Sequence, residues 1–253
     1  MVQPRRVLLF TALIVISALS AQETQETSRD SIQNLDEVII KANTILGNKY
    51  VAQNRTGASY YLSSDELQDF SYIDINRALK SVPGVNLYEE DGFGLRPNIS
   101  LRGTSPQRSS QITLMEDGVL IATAPYSSTA AYYFPSVARM QAIEILKGSS
   151  QVKYGPFTTG GVINLICTAV PDQLAGRFQS SYGSFNSSQL YSSVGQTNKN
   201  FGYLVEYMQL NSDGFKQLEN DGNTGFDIND LMGKVRWQSN AEAALPQSIE
   251  LKY

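Results

Sequence analysis

Residues 98–119 read NISLRGTSPQRSSQITLMEDGV, and this stretch decides the class of fold. Its two ends, 98–102 and 112–115, are short runs that predict β-strands. Asp117 and Gly118 stand between apolar runs, which is a strong signal for a hairpin turn. Short strands separated by Gly, Pro and polar residues predict a compact domain built around a small sheet.

Helix signals lie on the N-terminal side of this stretch. Residues 64–67 (SDEL) predict the capped start of one helix, and residues 74–79 predict a second helix that Pro83 and Gly84 would stop. On the C-terminal side, residues 143–146 predict a further strand. Together, residues 50–170 predict one α+β domain with a small mixed sheet and short helices.

The pattern changes from residue 171 to residue 253, where Gly, Asn, Ser and Asp clusters separate strand-like runs. These runs are 176–182, 190–194, 201–210, 231–237 and 248–253. Strands of about ten residues with aromatic residues near their ends are typical of an antiparallel transmembrane β-barrel, although a soluble antiparallel sheet would show a similar pattern. So few strands cannot close a barrel, because an open edge in lipid leaves backbone groups unpaired. We therefore expect the first strands of an incomplete barrel, and a fragment of a longer gene product.

The N-terminus predicts export. Arg5 and Arg6 precede an apolar run, 7–19, and small residues follow it, as in a cleaved secretory signal of residues 1–21. Cleavage is expected after Ser20 or Ala21. An N-terminal anchor helix is the alternative, but the run is short for a bilayer. Residues 22–49 then predict a flexible tail, because its first part is too polar to order itself.

Composition excludes several functions. The chain has a net charge of −4, no His and one Cys, so we expect no nucleic-acid binding, no His-based triad and no His-ligated metal. Two acidic runs, 89–91 and 116–117, are interpreted as loop and turn residues. The first lacks the ligand spacing of a Ca²⁺ loop, and the second is a turn. We expect that the protein is not an enzyme and that it holds no resident metal and no cofactor.

Five blocks of the sequence resemble, in order, the plug of TonB-dependent outer-membrane receptors. They are ALKSVPGV (78–85), ISLRG (99–103), LMEDGV (114–119), IEILKG (143–148) and GGVINL (160–165). A finer resemblance, to the ferric dicitrate receptor branch, is carried by GLRPN (94–98), RGTSPQRSS (102–110) and APY (124–126).

The sequence departs from that family in two places. After Asn164 the family continues with Thr and a basic residue, whereas this chain has Leu165, Ile166 and Cys167, so an exported free thiol is expected. Residues 22–34 are too few for the signalling domain of transcription-regulating receptors. We therefore expect a transporter without that function.

The resemblance implies a monomeric receptor in the outer-membrane lipid that imports a ferric chelate, either ferric dicitrate or a similar siderophore. The chelator already fills the coordination shell of the iron. Alternatives are a TonB-dependent receptor for another cargo, such as cobalamin or a glycan, and a secreted binding or adhesion protein without enzymatic activity.

Residues 35–42 resemble a TonB box, the segment that pairs with TonB of the inner-membrane energy complex. A β-branched segment on a flexible tail is suited to adding a strand to a partner's sheet edge, although an ordinary first strand of the plug is the alternative. The residues are Leu35, Asp36, Glu37, Val38, Ile39, Ile40, Lys41 and Ala42.

Two further sets of residues are predicted from the family blocks. An anionic chelate is bound by arginine guanidinium groups and by amide or hydroxyl donors. The loops between the predicted strands supply such residues for a ligand pocket. The alternative is that they are ordinary polar loop residues. Charged residues in the blocks are expected to contact the barrel wall or one another, with solvated strand charges as the alternative. The ligand-binding set is Arg96, Gln107, Arg108, Ser109, Ser110 and Tyr126, and the contact set is Arg102, Glu144 and Lys147.

Overall fold

The computed structural model describes residues 44–69, 74–121, 134–148, 151, 154, 159–216, 218–219, 222–239 and 246–253. All of them fall within one compact unit, Ile39–Tyr253. The predicted signal sequence, the segment 35–42 and Tyr126 lie outside the described residues.

The described residues of the first half form three short α-helices: α1 (Lys49–Asn54), α2 (Ser64–Asp69) and α3 (Ile75–Lys80). The predicted helices at 64–67 and 74–79 are confirmed, whereas α1 was not predicted. The carboxylate of Glu66 accepts hydrogen bonds from the backbone N–H and the hydroxyl of Ser63, so the cap of α2 lies one residue before the predicted start. Asp74 caps α3 by accepting from the N–H of Asn76 at 2.7 Å.

The central sheet is mixed and has five strands in the order β1-β6-β7-β4-β5. Strands β4 and β7 are parallel, and the other neighbours are antiparallel. The predicted strands at 112–115 and 143–146 are confirmed, and the turn at Asp117 and Gly118 joins β4 to β5. The bounds are β1 (Ala58–Leu62), β4 (Ile112–Glu116), β5 (Val119–Leu120), β6 (Met140–Lys147) and β7 (Gly161–Cys167).

A separate hairpin of β2 (Val85–Tyr88) and β3 (Asn98–Leu101) covers one face of the central sheet together with α3. On that face Ile145 and Ile163 are fully buried in the main core, and on the other face Leu146 and Val162 pack with Leu46 and Ala52. All residues of β7 are buried. The sheet is therefore covered on both sides, which explains its near-continuous apolar strands.

The second half of the chain is an antiparallel array in the order β12-β11-β10-β9-β8. The five predicted strands are confirmed, and most are longer than predicted. Along β10 exposed and buried residues alternate, with Tyr203 and Val205 exposed and Leu204 and Glu206 buried. The bounds are β8 (Ala175–Gly183), β9 (Ser187–Asn198), β10 (Phe201–Ser212), β11 (Phe226–Gln238) and β12 (Ser248–Lys252).

The outward face of this array is apolar. Phe178, Leu231, Val235, Trp237 and Leu251 are all exposed there. Among the described residues, none of the helices has both the length and the apolar character needed to cross a membrane.

A substitution at Gly161 tests the close packing at the start of β7. Its φ is +155°, and a Cβ there would overlap the carbonyl oxygen of Leu146 and the side chain of Leu101. We expect Gly161→Ala to lower the free energy of unfolding by about 1–3 kcal/mol, because backbone cannot yield as a flexible side chain can. The measurement is guanidinium chloride unfolding in detergent micelles.

The matched control is Gly183→Ala, since a Cβ at Gly183 meets open space. Equal stability of the two variants would contradict the close approach of β7 to Leu146.

Candidate functional site

A cluster of buried charges lies where β4 ends. Glu116 is the last residue of β4, and Asp117 follows it with a φ of +50° in the turn to β5. The turn is held by β7, because Asp117 N donates to Leu165 O and Gly118 N donates to Asn164 Oδ1, both at 2.9 Å. The end of β4 and the turn after it are therefore fixed against β7.

Two lysines of the strand array bind these carboxylates. Lys252 Nζ lies 2.9 Å from Asp117 Oδ2 and also contacts Glu116 Oε1. Lys234 Nζ lies 3.3 Å from Asp117 Oδ2 and donates to Thr168 O at 2.9 Å. The Lys234 side chain is only 1% exposed, so this ion pair is shielded from solvent.

Arg139 completes the arrangement. Its guanidinium lies 3.2 Å from Glu116 Oε1 and 3.3 Å from Asp230 Oδ2 of β11. The buried ion cluster therefore consists of three carboxylates (Glu116, Asp117 and Asp230) and three cations (Arg139, Lys234 and Lys252). Its formal charge is balanced, as burial of charged groups requires. It joins the central sheet to the strand array.

Cys167 lies inside the cluster as a thiol. Its Sγ donates to Glu116 Oε1 at 3.0 Å, and Lys252 Nζ donates to Sγ at 3.2 Å. Burial, together with the charges of Asp117 and Glu116, raises the pKa of Cys167 well above its ordinary range. Glu116, Asp117 and Cys167 are close enough to hold a metal ion, but the ammonium of Lys252 lies within hydrogen-bonding distance of all three. The arrangement binds a lysine.

The cluster keeps the carboxylates of Glu116 and Asp117 ionised. Burial alone raises the pKa of Asp117, but the charge of Lys234 and the hydrogen bond from Lys252 outweigh it, and the pKa lies below its ordinary 3.8. For Glu116, burial is likewise outweighed by Cys167, Lys252 and Arg139, and its pKa lies below 4.5. The contribution of these two carboxylates to the stability of the fold is therefore fully present at a pH above their ordinary pKa values. It is lost as the pH falls through their lowered pKa values.

A second site lies at the other end of β4, where loops 89–97 and 102–111 meet. The side chain of Asn98 ties them together, because its Oδ1 accepts from Arg108 N at 2.7 Å and its Nδ2 donates to Arg96 O at 3.5 Å. Asp91 orders the first loop by accepting from the backbone N–H of Arg96 at 2.9 Å. Arg96, Gln107 and Arg108 are all exposed on this loop end.

Aromatic residues attach this loop end to the strand array. The ring of Phe93 lies 4.8 Å from that of Phe226 and 5.6 Å from that of Phe215, and Lys216 Nζ donates to Glu90 O. A cleft of about 410 Å³ opens between them, lined by both Arg96 and Lys216. The acidic residues Glu90 and Asp91 also line the cleft, so it presents charges of both signs to a bound molecule.

The structure gives Ser109 a different role from the predicted one. Ser109 is fully buried, and its hydroxyl donates to Pro97 O and accepts from Ile99 N, both at 2.9 Å. The hydroxyl is thus used to hold the loop and does not face a ligand. Ser110 is half-buried beside it, and Tyr126 lies outside the described residues.

The three residues of the predicted contact set have different surroundings in the structure. Glu144 is fully buried inside the central sheet and binds the backbone of residues 45–47, so the contacts seen for it do not reach the strand array. Lys147 donates to Pro83 O, and burial and the charge of Arg102 lower its pKa. Arg102 itself is exposed at the start of a turn.

Comparison with known proteins decides the family. Residues 51–162 match the TonB-dependent receptor plug domain. This chain carries a TonB-dependent receptor plug domain. The central sheet, its helices and the β2–β3 hairpin are the plug, and β8 to β12 are antiparallel strands of a partial barrel. The predicted family and the predicted fold class are confirmed.

The chain is similar to several complete receptors. It is 27% identical over 228 residues to the vitamin B12 transporter BtuB of Vibrio vulnificus (strain YJ016), a match that covers 88% of this chain and 35% of that protein. Among solved structures, it resembles the ferric citrate transporter FecA in the unliganded form, with a TM-score of 0.62 and 24% identity over 82% of this chain and 32% of the other. The siderophore receptor PirA of Acinetobacter baumannii has a TM-score of 0.60 and 20% identity over 83% of this chain and 32% of its own. The chain spans about a third of the length of these proteins.

The sequence did not reveal the ion cluster of the plug. Glu116 and Asp117 were interpreted as turn residues. Asp117 lies in the turn and Glu116 ends β4, and the structure also pairs them with two barrel lysines. A signal was present in the sequence, because two adjacent carboxylates directly follow the apolar run 112–115. Asn98 was likewise missed as the residue that joins the two loops.

The ion cluster predicts a large effect of one conservative change. Asp117→Asn removes the negative charge between Lys234 and Lys252. The buried ammonium of Lys234 then loses the carboxylate of its ion pair, and Lys252 keeps only Glu116. We expect the free energy of unfolding of the plug to fall by about 3 kcal/mol or more. Guanidinium chloride unfolding of the protein in detergent micelles measures it.

The matched control is Asp172→Asn. Asp172 pairs with Arg236 at 3.4 Å but its side chain is 93% exposed, so its removal should change stability by less than about 1 kcal/mol. A loss at Asp117 no greater than the loss at Asp172 would show that the cluster does not anchor the plug.

Proposed function

We propose that this chain is part of a TonB-dependent outer-membrane transporter that imports a ferric chelate, ferric dicitrate or a similar siderophore, into the periplasm. The observation that carries the proposal is the loop end of the plug. There Arg96 and Arg108 are exposed on two loops that Asn98 joins. The chemistry of that site matches an anionic cargo rich in oxygen acceptors.

The cargo would be bound through its chelator. Guanidinium groups form charge-assisted, bidentate hydrogen bonds with carboxylates, and Gln107 adds an amide donor beside Arg108. The ferric ion would stay within the chelator, so no protein ligand to iron is required. The loop sequences 94–98 and 102–110 resemble the ferric dicitrate receptor branch, which supports dicitrate within this class.

Cobalamin is the second candidate cargo, because the relative that matches over 88% of this chain is a vitamin B12 transporter. Cobalamin is large and carries many amide groups, whereas ferric dicitrate is small and anionic. A site that depends on Arg96 and Arg108 favours the anion. Direct binding measurements with both compounds separate the two.

We place the protein in the outer membrane, as a monomer. The outward face of β8 to β12 exposes Phe178, Leu231, Trp237 and Leu251, which suits contact with lipid. Residues 1–21 would be removed as a signal peptide, 22–49 would form the flexible tail, 50–170 the plug, and 171–253 the first barrel strands. The barrel lumen would be closed by the plug.

The energy would come from the inner membrane. Residues 35–42 would pair with TonB by strand addition, and a pull on this segment would loosen the plug and open a path for the cargo. No covalent bond is made or broken in this cycle, so the protein would not be an enzyme. Arg102 and Lys147, two neighbouring cations of the plug, would meet acidic residues of the barrel wall.

Removing the loop arginines tests the cargo. For Arg96→Gln and Arg108→Gln in the purified receptor, we expect the Kd for ferric dicitrate to rise about 10-fold or more each, because a hydrogen bond to a charged group contributes about 1.5–3 kcal/mol. Isothermal titration calorimetry with ferric dicitrate, and in parallel with cyanocobalamin, measures it.

The matched control is Arg55→Gln, since Arg55 follows α1 and lies outside these loops. Tight cyanocobalamin binding with no ferric dicitrate binding would replace the ferric chelate by cobalamin as the cargo.

Deleting residues 36–41 tests the coupling to TonB. Cells that express the deletion variant should bind labelled cargo at their surface as the parent does, but import into the periplasm should fall to background, because the pulled segment is gone. Labelled cargo in the periplasmic fraction, released when the cells are converted to spheroplasts, gives the readout. Import that persists at the parental rate would rule out a TonB-binding role for this segment.

A further inference from the structure

One buried side chain holds the backbone that directly follows the segment 35–42. The carboxylate of Glu144, in the middle of β6, accepts from Ile45 N at 2.6 Å, from Leu46 N at 2.9 Å and from Gly47 N at 2.7 Å. A fourth donor is Asn164 Nδ2, at 2.8 Å. Each carboxylate oxygen thus accepts two hydrogen bonds.

These bonds form a concentrated attachment. Three consecutive backbone N–H groups that converge on one anion form a strong anion-binding arrangement, and bonds to a charged acceptor are stronger than neutral ones. Beyond them, Leu46 and the half-buried Ile45 pack on the second core face. A pull from the N-terminal side therefore reaches the contact with Glu144 of β6 before it reaches β1, the first strand of the central sheet along the chain.

Asn164 continues the contact toward the barrel wall. It faces Glu144 in the β6–β7 register, and its Oδ1 accepts from Gly118 N at 2.9 Å. Gly118 directly follows Asp117, whose carboxylate binds Lys234 and Lys252 of the barrel strands. The path from residues 45–47 to the barrel therefore runs through Glu144, Asn164 and the turn at 117–118.

We propose that Glu144 and Asn164 are positioning residues that couple the N-terminal segment to the ion cluster, so that withdrawal of residues 45–47 weakens the hold of Asp117 on the barrel lysines. The proposal rests on the proposed function, in which TonB pulls the segment 35–42. It extends that function by naming the residues through which the pull reaches the plug–barrel contact.

The physical reason is the cost of a buried carboxylate that loses its donors. When residues 45–47 leave, Glu144 keeps only Asn164 among the four donors, and a buried charge so poorly satisfied is unfavourable. The amide of Asn164 is then drawn toward the poorly satisfied carboxylate, or water enters beside it, and either change moves Asn164 Oδ1 away from Gly118 N. By linkage, weakening of the turn must in return weaken the hold on residues 45–47.

Hydrogen–deuterium exchange on the intact receptor, without TonB or cargo, tests the coupling. In Glu144→Gln one oxygen becomes an NH₂ group that faces two donors. We expect exchange at 45–47 to accelerate at least about 10-fold, and exchange at Gly118 to accelerate at least about 5-fold, in line with ordinary coupling between sites. The matched control is Glu89→Gln, since Glu89 pairs with Lys80 at the surface.

A change in the ion cluster tests the coupling in the reverse direction, from the barrel contact to residues 45–47. Asp117→Asn should accelerate exchange at 45–47 by at least about 5-fold, and Asn164→Leu, which removes only the middle residue, should abolish that remote effect in the double variant. Faster exchange at 45–47 in Glu144→Gln with unchanged exchange at Gly118 would overturn the proposal, as would a remote effect that survives Asn164→Leu. Because no TonB or cargo is present, this outcome is independent of the uptake and binding results.

Discussion

A carboxylate can be buried only where cations or hydrogen-bond donors surround it, and two such carboxylates organise the plug. Glu116, at the end of β4, is neutralised by Arg139 and by Lys252 of a barrel strand. Glu144, inside β6, is satisfied by backbone N–H groups and Asn164. In both cases the partners come from distant parts of the chain, so the two carboxylates are satisfied only when residues 45–47 and the barrel strands are in place.

This constraint separates the plug into two ends. Loops at the start of β4 carry the exposed arginines and the cleft next to Phe93, whereas the turn at its end carries the ion cluster. β4 has five residues, so the two ends are about 13 Å apart along the strand. Binding chemistry and attachment chemistry thus share one rigid strand, which places any cargo at one end of it and the mechanical contacts at the other.

Much of the fold could be predicted from short-range patterns. The hairpin turn at Asp117 and Gly118 and the helix cap at Asp74 depend on residues adjacent in sequence. The five barrel strands repeat the alternation and turn signals of an antiparallel sheet. The helix at 49–54 was missed because its first turn has no acidic residue, whereas the helix at 64–69 has Asp65 and Glu66 there and the helix at 75–80 is followed by the stop signal of Pro83 and Gly84.

The sequence by itself determined the type of each element, the order of the family blocks and the exposed arginines of the loops, because these follow from local periodicity and residue chemistry. Only the tertiary structure decided which charges meet. Lys234 and Lys252 lie more than a hundred residues beyond Asp117, and Glu144 lies about as far beyond the backbone it holds. Contacts of that separation are set by strand order and register, which no local pattern encodes. For the same reason Ser109 was taken for a ligand residue, although its hydroxyl is used inside the loop.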